Sequence, residues 1–218
     1  MSVKVGLKKI EIWNESLEDA VVKYEQEKNE KGQIVFYGSS SFTRWSEAYG
    51  MKPMREMLLG KSGAPCVINR GFGSSSPEHQ LYYYPRMVRP LAPKVLVYTF
   101  KGNNTAFGYS FEEGWELAQR VIAYTFTDFP DAHIYLCGSQ PIKREFNYSE
   151  AQNYKRFDSW LKAFAEDTPN CYFIDMMKYD ELKRKDIFVE DGVHFNQTGY
   201  DIYAEIFKQE LKDELDRF

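Results

Sequence analysis

The chain has 218 residues, a net charge of −4, a calculated pI of about 5.6, and many aromatic residues, with 16 Tyr, 16 Phe and 4 Trp. This length suits a domain with a full core, and the aromatic content argues against a disordered chain. The lack of a basic stripe argues against a nucleic-acid partner, and the lack of an apolar leader or an apolar run of about 18 residues predicts a cytoplasmic protein without a membrane span.

Short apolar runs alternate with longer amphipathic segments along the chain. The predicted strands are residues 33–37, 65–69, 94–100, 133–137 and 171–174, and the predicted helices are residues 17–28, 44–59, 77–88, 111–125, 149–165 and 198–215. The strands are almost continuously apolar, which is typical of strands covered on both faces. The alternation predicts an α/β fold with a mostly parallel sheet and right-handed crossovers. We expect one domain over residues 1–218, with an N-terminal helical arm over about residues 1–31.

The three cysteines, Cys66, Cys137 and Cys171, lie far apart in apolar runs, and we expect buried, reduced thiols. Their spacing does not match a zinc site. The sequence also lacks a Walker loop, and Gly71-x-Gly73 lacks the third glycine of a dinucleotide-binding motif. No motif for a metal or a cofactor is therefore present.

Polar or glycine-rich loops follow three successive predicted strands. They are Gly38-Ser39-Ser40, residues 69–74 (Asn-Arg-Gly-Phe-Gly-Ser) and Gly102-Asn103-Asn104. Because the carboxyl ends of parallel strands meet at one edge of a sheet, where open α/β sheets bind their ligands, we expect these loops to lie close together. A later loop, with Asp191 and His194, can reach over the same edge.

Ser40 is the candidate nucleophile, because a serine hydroxyl beside a base can attack an acyl group. Ser41 is the rival, since three consecutive serines leave the register open. Alternatively, these serines only cap the helix that follows. The hydrolase elbow Gly-x-Ser-x-Gly is absent, because Phe42 holds the last glycine position.

His194 is the candidate base among the three histidines. His79 falls within a predicted helix and His133 opens a strand, whereas His194 has Asp191 three residues before it. That spacing lets the carboxylate reach Nδ1–H and leaves Nε2 free to accept a proton. Taken alone, such a pair is also compatible with a surface ion pair.

Asn104 is the candidate donor to an oxyanion through its side-chain amide. The backbone N–H of Ser40 and one amide of the 71–74 loop complete the candidate oxyanion hole. Alternatively, Gly-Asn-Asn is an ordinary turn.

From about residue 33 to residue 200, the sequence resembles the SGNH-hydrolase superfamily of GDSL-like esterases and lipases. Four blocks carry the resemblance, namely Gly38-Ser39-Ser40, residues 69–74, Gly102-Asn103-Asn104-Thr105 and Asp191-Gly192-Val193-His194. The first block resembles a bacterial subgroup with Gly-Ser-Ser-Ser in place of the usual Gly-Asp-Ser. By position, Ser40 matches the family nucleophile, Asn104 the oxyanion asparagine, and Asp191 and His194 the remaining triad members.

The resemblance implies a three-layer, flavodoxin-like fold, with helices on both faces of a parallel sheet of about five strands. It also implies no cofactor. The Asp191/His194 pair could ligate a metal, but no second histidine and no further Asp/His cluster accompanies it, so no metal is expected. Ser39 and Thr105 each replace a family aspartate. In the second block the family's donor glycine aligns with Ser74, so the backbone donor stays open among Gly71, Gly73 and Ser74. A serine would be strained there if the position requires a positive φ.

The combined prediction is a serine esterase that releases a small acyl group, with acetyl the first candidate, from an alcohol such as a carbohydrate. Arg70 and Lys101 are candidate contacts to a polar substrate. The aromatic side chains of residues 80–84 (Gln-Leu-Tyr-Tyr-Tyr) are a candidate pocket wall or sugar-stacking surface, with core packing and helix surface as the alternative. Two other functions stay open: a non-catalytic binding protein whose site has drifted, and an acyltransferase. The sequence also leaves open whether the chain forms a homo-oligomer.

Overall fold

A computed structural model describes residues 14–100, 103 and 108–218. Its centre is a parallel sheet of five strands: β1 (Ile34–Gly38), β2 (Val67–Gly71), β3 (Val95–Tyr98), β4 (His133–Cys137) and β5 (Cys171–Ile174). The strands lie in the order β2-β1-β3-β4-β5. This is the doubly wound, flavodoxin-like order, with its switch point between β1 and β3. The predicted α/β fold with a parallel sheet is confirmed.

Helices cover both faces of the sheet. In the described ranges they are α1 (Asn14–Glu25), α2 (Ser40–Thr43), α3 (Met54–Met57), α4 (Pro77–Met87), α5 (Phe111–Asp128), α6 (Tyr148–Asp167), α7 (Gln197–Glu210) and α8 (Lys212–Leu215). Successive residues of a strand point to opposite faces. Ile34 and Phe36 therefore pack with α2, α3, α7 and α8, whereas Val35 and Tyr37 pack with α1, α4, α5 and α6. None of these helices is long and apolar enough to cross a membrane.

The predicted helix over residues 44–59 is wrong. This segment holds only a 3₁₀ turn, Glu47–Tyr49, and the short α3. Gly50 ends the turn with a φ of 74°, and Pro53, which has no N–H, takes an extended conformation before α3. The predicted helix over residues 198–215 is likewise broken, because Leu211 leaves the helical conformation between α7 and α8. The other predicted helices agree with the structure to within three residues at either end.

Two strand-end glycines allow close approaches at the carboxyl edge of the sheet, of Thr99 to Gly38 and of α2 to Gly71. A Cβ atom on Gly38 would lie 2.4 Å from Cγ2 of Thr99, and one on Gly71 would lie 2.4 Å from the backbone nitrogen of Thr43. Only glycine permits such approaches. The chain therefore turns from β1 straight into α2, which places Ser40 at the carboxyl edge of the sheet.

The three cysteines are free and buried, as predicted. Burial raises the pKa of the Cys66 thiol to about 11 and that of the Cys171 thiol to about 12. These two thiols are therefore protonated at neutral pH and do not act as nucleophiles.

Candidate active site

Ser40 opens α2 and faces an imidazole that comes from the far end of the chain. Its Oγ lies 2.8 Å from Nε2 of His194, although the two residues are 154 positions apart. Ser39 stands at the capping position of α2, but its side chain makes no capping hydrogen bond. The structure thus brings Ser40 to the histidine. The backbone carbonyl of Ser41 accepts a hydrogen bond from the hydroxyl of Tyr200.

Asp191 and His194 lie in one short loop. Oδ1 of Asp191 accepts hydrogen bonds from the backbone N–H groups of Val193 and His194, both at 2.9 Å. Oδ2 lies 2.8 Å from Nδ1 of His194. Because the carboxylate can only accept a hydrogen bond, the ring carries its proton on Nδ1, and Nε2 presents a lone pair to Ser40.

The same contacts keep Asp191 ionised. Partial burial by itself raises the pKa of this carboxyl group, but the N–H groups of His194 and Val193 and the His194 ring hold its pKa well below the usual range. Asp191 is therefore negative throughout the neutral pH range. It can stabilise the imidazolium that forms when His194 accepts a proton.

The loop after β2 supplies backbone N–H groups beside Ser40. The N–H of Gly71 donates to Oδ1 of Asn69 at 2.8 Å, so this amide is already occupied. A Cβ atom built on Gly73 would lie 3.9 Å from Cβ of Ser40, which places Gly73 next to the hydroxyl. Of the three amides that the sequence leaves open, those of Gly73 and Ser74 are therefore the better candidates.

Ser74 carries backbone strain, because it takes a conformation that favours glycine. Its φ is 66°, in the left-handed region. The N–H of Ser75 donates to the carbonyl oxygen of Phe72 at 3.3 Å, which closes a turn with Gly73 and Ser74 at its centre. A positive φ at the third residue is the mark of a type II turn, where glycine is preferred. The backbone N–H of Ser74 is retained despite the strain.

The third predicted loop is described only at Asn103, and Asn104 and Lys101 lie outside the described residues. The side-chain amide of Asn103 donates to Oγ of Ser39 and to the carbonyl oxygen of Ser75, both at 2.8 Å. It therefore fastens the loop after β1 to the loop after β2. This role of Asn103 was not predicted from the sequence.

A cavity of about 300 Å³ opens beside Ser40 and His194. Its wall combines hydroxyl and amide groups with aromatic rings. Besides the residues already discussed, it is lined by Thr99, Gly138, Ser139, Gln140, Ile142, Arg144, Phe146, Tyr154 and Tyr203. The rings of Phe146 and Tyr154 pack together, with centroids 4.6 Å apart.

This wall was not predicted from the sequence, although one signal was present. Gly138-Ser139-Gln140 follows β4, which ends at the same edge as β1 and β3. Asp158 of α6 holds this loop by accepting hydrogen bonds from both the N–H and the hydroxyl of Ser139. The rule that ligands bind at the carboxyl ends of parallel strands, which led to Ser40, therefore also applied to Ser139.

Other predicted contacts lie away from the cavity. Arg70 is 3% exposed and pairs with Glu27 at 2.7 Å, so the prediction that it contacts substrate is wrong. Tyr83 and Tyr84 belong to α4 and are buried in the core, which supports the alternative of core packing for these two residues. Tyr82 is 52% exposed, and none of residues 80–84 lines the cavity. Among the described residues, no three His, Cys, Asp or Glu side chains come together as a metal site would require.

Solved structures with this architecture include several ester hydrolases. A GDSL-like lipase from Bacteroides thetaiotaomicron has 16% identity and a TM-score of 0.69, and the match covers 91% of this chain and 98% of that one. An esterase from Pseudoalteromonas, inhibited by monoethylphosphonate, has 16% identity, a TM-score of 0.65 and coverage of 84% and 97%. A variant of an acetyl-xylooligosaccharide esterase from Geobacillus has 15% identity, a TM-score of 0.65 and coverage of 85% and 96%.

At these identities the solved structures show the common fold. None of the curated protein sequences matches the chain. The model of the GDSL-like lipase/acylhydrolase family matches residues 36–202, which is more than half of the chain. The chain therefore belongs to the GDSL-like lipase/acylhydrolase family of the SGNH superfamily and is a carboxylic-ester hydrolase.

Proposed function

We propose that the chain is a serine esterase that works through an acyl-enzyme on Ser40. One observation carries the proposal. Oγ of Ser40 lies within hydrogen-bond distance of Nε2 of His194, and Oδ2 of Asp191 within that of Nδ1, each at 2.8 Å, beside an open cavity. This is the arrangement that activates a serine hydroxyl for attack on an acyl carbon.

In the first half of the reaction, Oγ of Ser40 forms a bond with the ester carbonyl carbon as its proton passes to Nε2 of His194. The carbonyl oxygen becomes an oxyanion. When the tetrahedral intermediate collapses, the bond to the alcohol oxygen breaks and His194 gives its proton to the leaving alcohol. In the second half, His194 deprotonates a water molecule that attacks the acyl-enzyme, and the carboxylic acid leaves as Ser40 regains its proton.

We assign the oxyanion hole to the backbone N–H groups of Ser40 and of Gly73 or Ser74, together with the side-chain amide of Asn104. The position of Gly73 beside Cβ of Ser40 supports the backbone donors. The assignment of Asn104 rests on the resemblance of the sequence blocks. Removal of one such donor typically lowers turnover by about 10²–10³-fold.

We propose a small acyl group, with acetyl the first candidate, carried on a polyhydroxylated alcohol such as a carbohydrate. A cavity of about 300 Å³ is small for a binding site. The face of an aromatic ring such as Tyr154 packs well on a sugar ring, and side chains such as Gln140 can bond its hydroxyl groups. The Geobacillus enzyme of this fold is named for such a substrate. We also assign the chain to the bacterial subgroup with the Gly-Ser-Ser-Ser block, on residues 38–41.

Turnover of p-nitrophenyl acetate by wild type, Ser40→Ala and Ser41→Ala tests the mechanism. We expect Ser40→Ala to lose about 10³-fold or more in kcat, and Ser41→Ala to keep most of its turnover. Undiminished turnover in Ser40→Ala would overturn the assignment. Adding an alcohol acceptor separates the esterase from an acyltransferase, because transfer would yield a new ester in place of free acid.

A panel of acetylated sugars and p-nitrophenyl esters of increasing chain length tests the substrate. We expect acetyl esters to be turned over fastest, and acetylated sugars to have higher kcat/KM than acetyl esters of simple alcohols. A steady rise of kcat/KM with chain length would contradict the proposal of a small acyl group.

A further inference from the structure

Arg44 makes a contact to the catalytic carboxylate that the mechanism above does not use. Its Nη1 lies 3.1 Å from Oδ2 of Asp191, the same oxygen that accepts the hydrogen bond from His194. Arg44 directly follows α2, and its backbone N–H donates to the carbonyl oxygen of Ser40 at 3.0 Å. Ser40 and Arg44, one helical turn apart, therefore reach the two ends of the His194–Asp191 pair.

The orientation of Asp191 does not depend on Arg44. Its other oxygen, Oδ1, already accepts two backbone hydrogen bonds from its own loop, and the His194 ring holds Oδ2. What Arg44 adds is a permanent positive charge, because a guanidinium does not lose its proton in the working range of pH. This charge offsets part of the negative charge that Asp191 presents to the imidazole.

Other charged and titratable groups surround the pair. The ring of Tyr49 lies under the guanidinium of Arg44 at 5.4 Å, and Tyr200 of α7, whose burial raises its pKa, is neutral in the working range. The side chain of Lys143 lies next to Gly192, in the loop that carries the catalytic carboxylate. Arg144 lines the cavity, where a glutamate of α6 pairs with it. Of the cations named here, Arg44 is the one that contacts the carboxylate directly.

We infer that Arg44 is a positioning residue that sets the pH range of the triad. By offsetting the charge of Asp191, it lowers the proton affinity of His194, so that the ring stays a free base at lower pH than it would beside an unpaired carboxylate. This inference rests on the proposed function, because it concerns the base of that reaction. It predicts a change in pH dependence more than a change in maximal rate.

The test compares kcat/KM for p-nitrophenyl acetate against pH in wild type, Arg44→Gln and Arg44→Lys. The acid limb is the fall of kcat/KM at low pH. In Arg44→Gln we expect it to move to higher pH by roughly half to one pH unit, with the plateau of kcat/KM at high pH within about tenfold of wild type. Arg44→Lys restores the charge and is expected to recover most of the shift. The shift is expected to shrink at about 1 M salt, because the ion pair is partly exposed.

Arg89→Gln is the matched control. Arg89 pairs with Asp128 at 2.7 Å and lies before β3, at the opposite edge of the sheet from Ser40. The Arg89→Gln variant removes the same charge from a similar ion pair and is expected to leave the acid limb of the pH profile in place. An unmoved acid limb in Arg44→Gln, or an equal shift in Arg89→Gln, would overturn the inference. A loss of rate at every pH with an unmoved limb would mean that Arg44 is merely structural.

A second measurement keeps this test independent of ester turnover. The ring nitrogens of His194 can be followed by NMR as the pH is changed, in wild type and in Arg44→Gln. We expect the imidazole of His194 to take up its proton at higher pH in the variant. Absence of esterase activity in wild type would refute the proposed function alone, whereas identical titrations of His194 in the two proteins would refute the role of Arg44.

Discussion

Replacement of Ser74 by glycine is expected to stabilise the protein without impairing activity. Ser74 has a φ of 66° in the turn after β2, and its side chain is exposed. A left-handed conformation costs a residue other than glycine about 1–2 kcal/mol, and the greater freedom of glycine in the unfolded chain offsets about 0.5–1 kcal/mol of the gain. The free energy of unfolding should therefore rise by about 0.5–1 kcal/mol, or roughly 1–4 °C in Tm for a chain of this size.

The matched control is Asn170→Gly, which changes another residue of positive φ, at 61°, before β5. Asparagine tolerates this conformation better than serine, so we expect a smaller gain there. Thermal unfolding and urea denaturation measure both variants, and p-nitrophenyl acetate turnover measures activity. Because Ser74→Gly keeps the backbone N–H, kcat/KM should stay within about threefold of wild type. A lower stability, or a loss of activity above about tenfold, would refute this reasoning.

Three further predictions concern the triad and its support. Asp191→Asn is expected to lower kcat for p-nitrophenyl acetate by about 10²–10⁴-fold, because the ring loses the acceptor that fixes its tautomer; activity close to wild type would contradict this. Asn103→Ala is expected to lower kcat by about tenfold and to lower Tm, because it removes the hydrogen bonds that join the loops after β1 and β2. Kinetics and thermal unfolding measure the two effects, and wild-type values of both would contradict this. Since the pKa of folded Asp191 is depressed, its stabilising contribution is present above the pKa of an unfolded aspartate, about 3.9, and is lost as the pH falls below it. Urea denaturation should therefore show that Asp191→Asn loses less stability in acid than at neutral pH, and an equal loss at both would contradict this.

The sheet could be predicted from the sequence because its inner strands are covered on both faces. Strands such as Ile34–Gly38 and Val95–Tyr98 are fully buried, so their residues are almost continuously apolar and stand out in the chain. The segment after β1 could not be predicted as well. Its apolar residues, such as Trp45 and Met54, belong to the core, but Gly50 and Pro53 break the helix that their spacing suggests.

The candidate triad could be found for a related reason. Ser40 follows a predicted strand, and ligands bind at the carboxyl ends of parallel strands. Asp191 and His194 are only three positions apart, so their spacing can be read from the sequence. The aromatic part of the cavity wall has no such signal, because Phe146 and Tyr154 meet only once α6 has packed beside the loop after β4. The pairing of Arg44 with Asp191 joins residues 147 positions apart and depends on the contacts of α2 with α7 and with the loop before it.

The most direct test of the account is the reaction of Ser40 with a fluorophosphonate, which forms a stable bond with an activated serine oxygen. Intact mass spectrometry should show one equivalent bound to the wild-type protein, and peptide mapping should place the adduct on Ser40. Ser40→Ala, folded by circular dichroism, should remain unlabelled. An adduct on Ser41, or a folded wild-type protein that does not react, would contradict the central claim that Ser40 is the nucleophile.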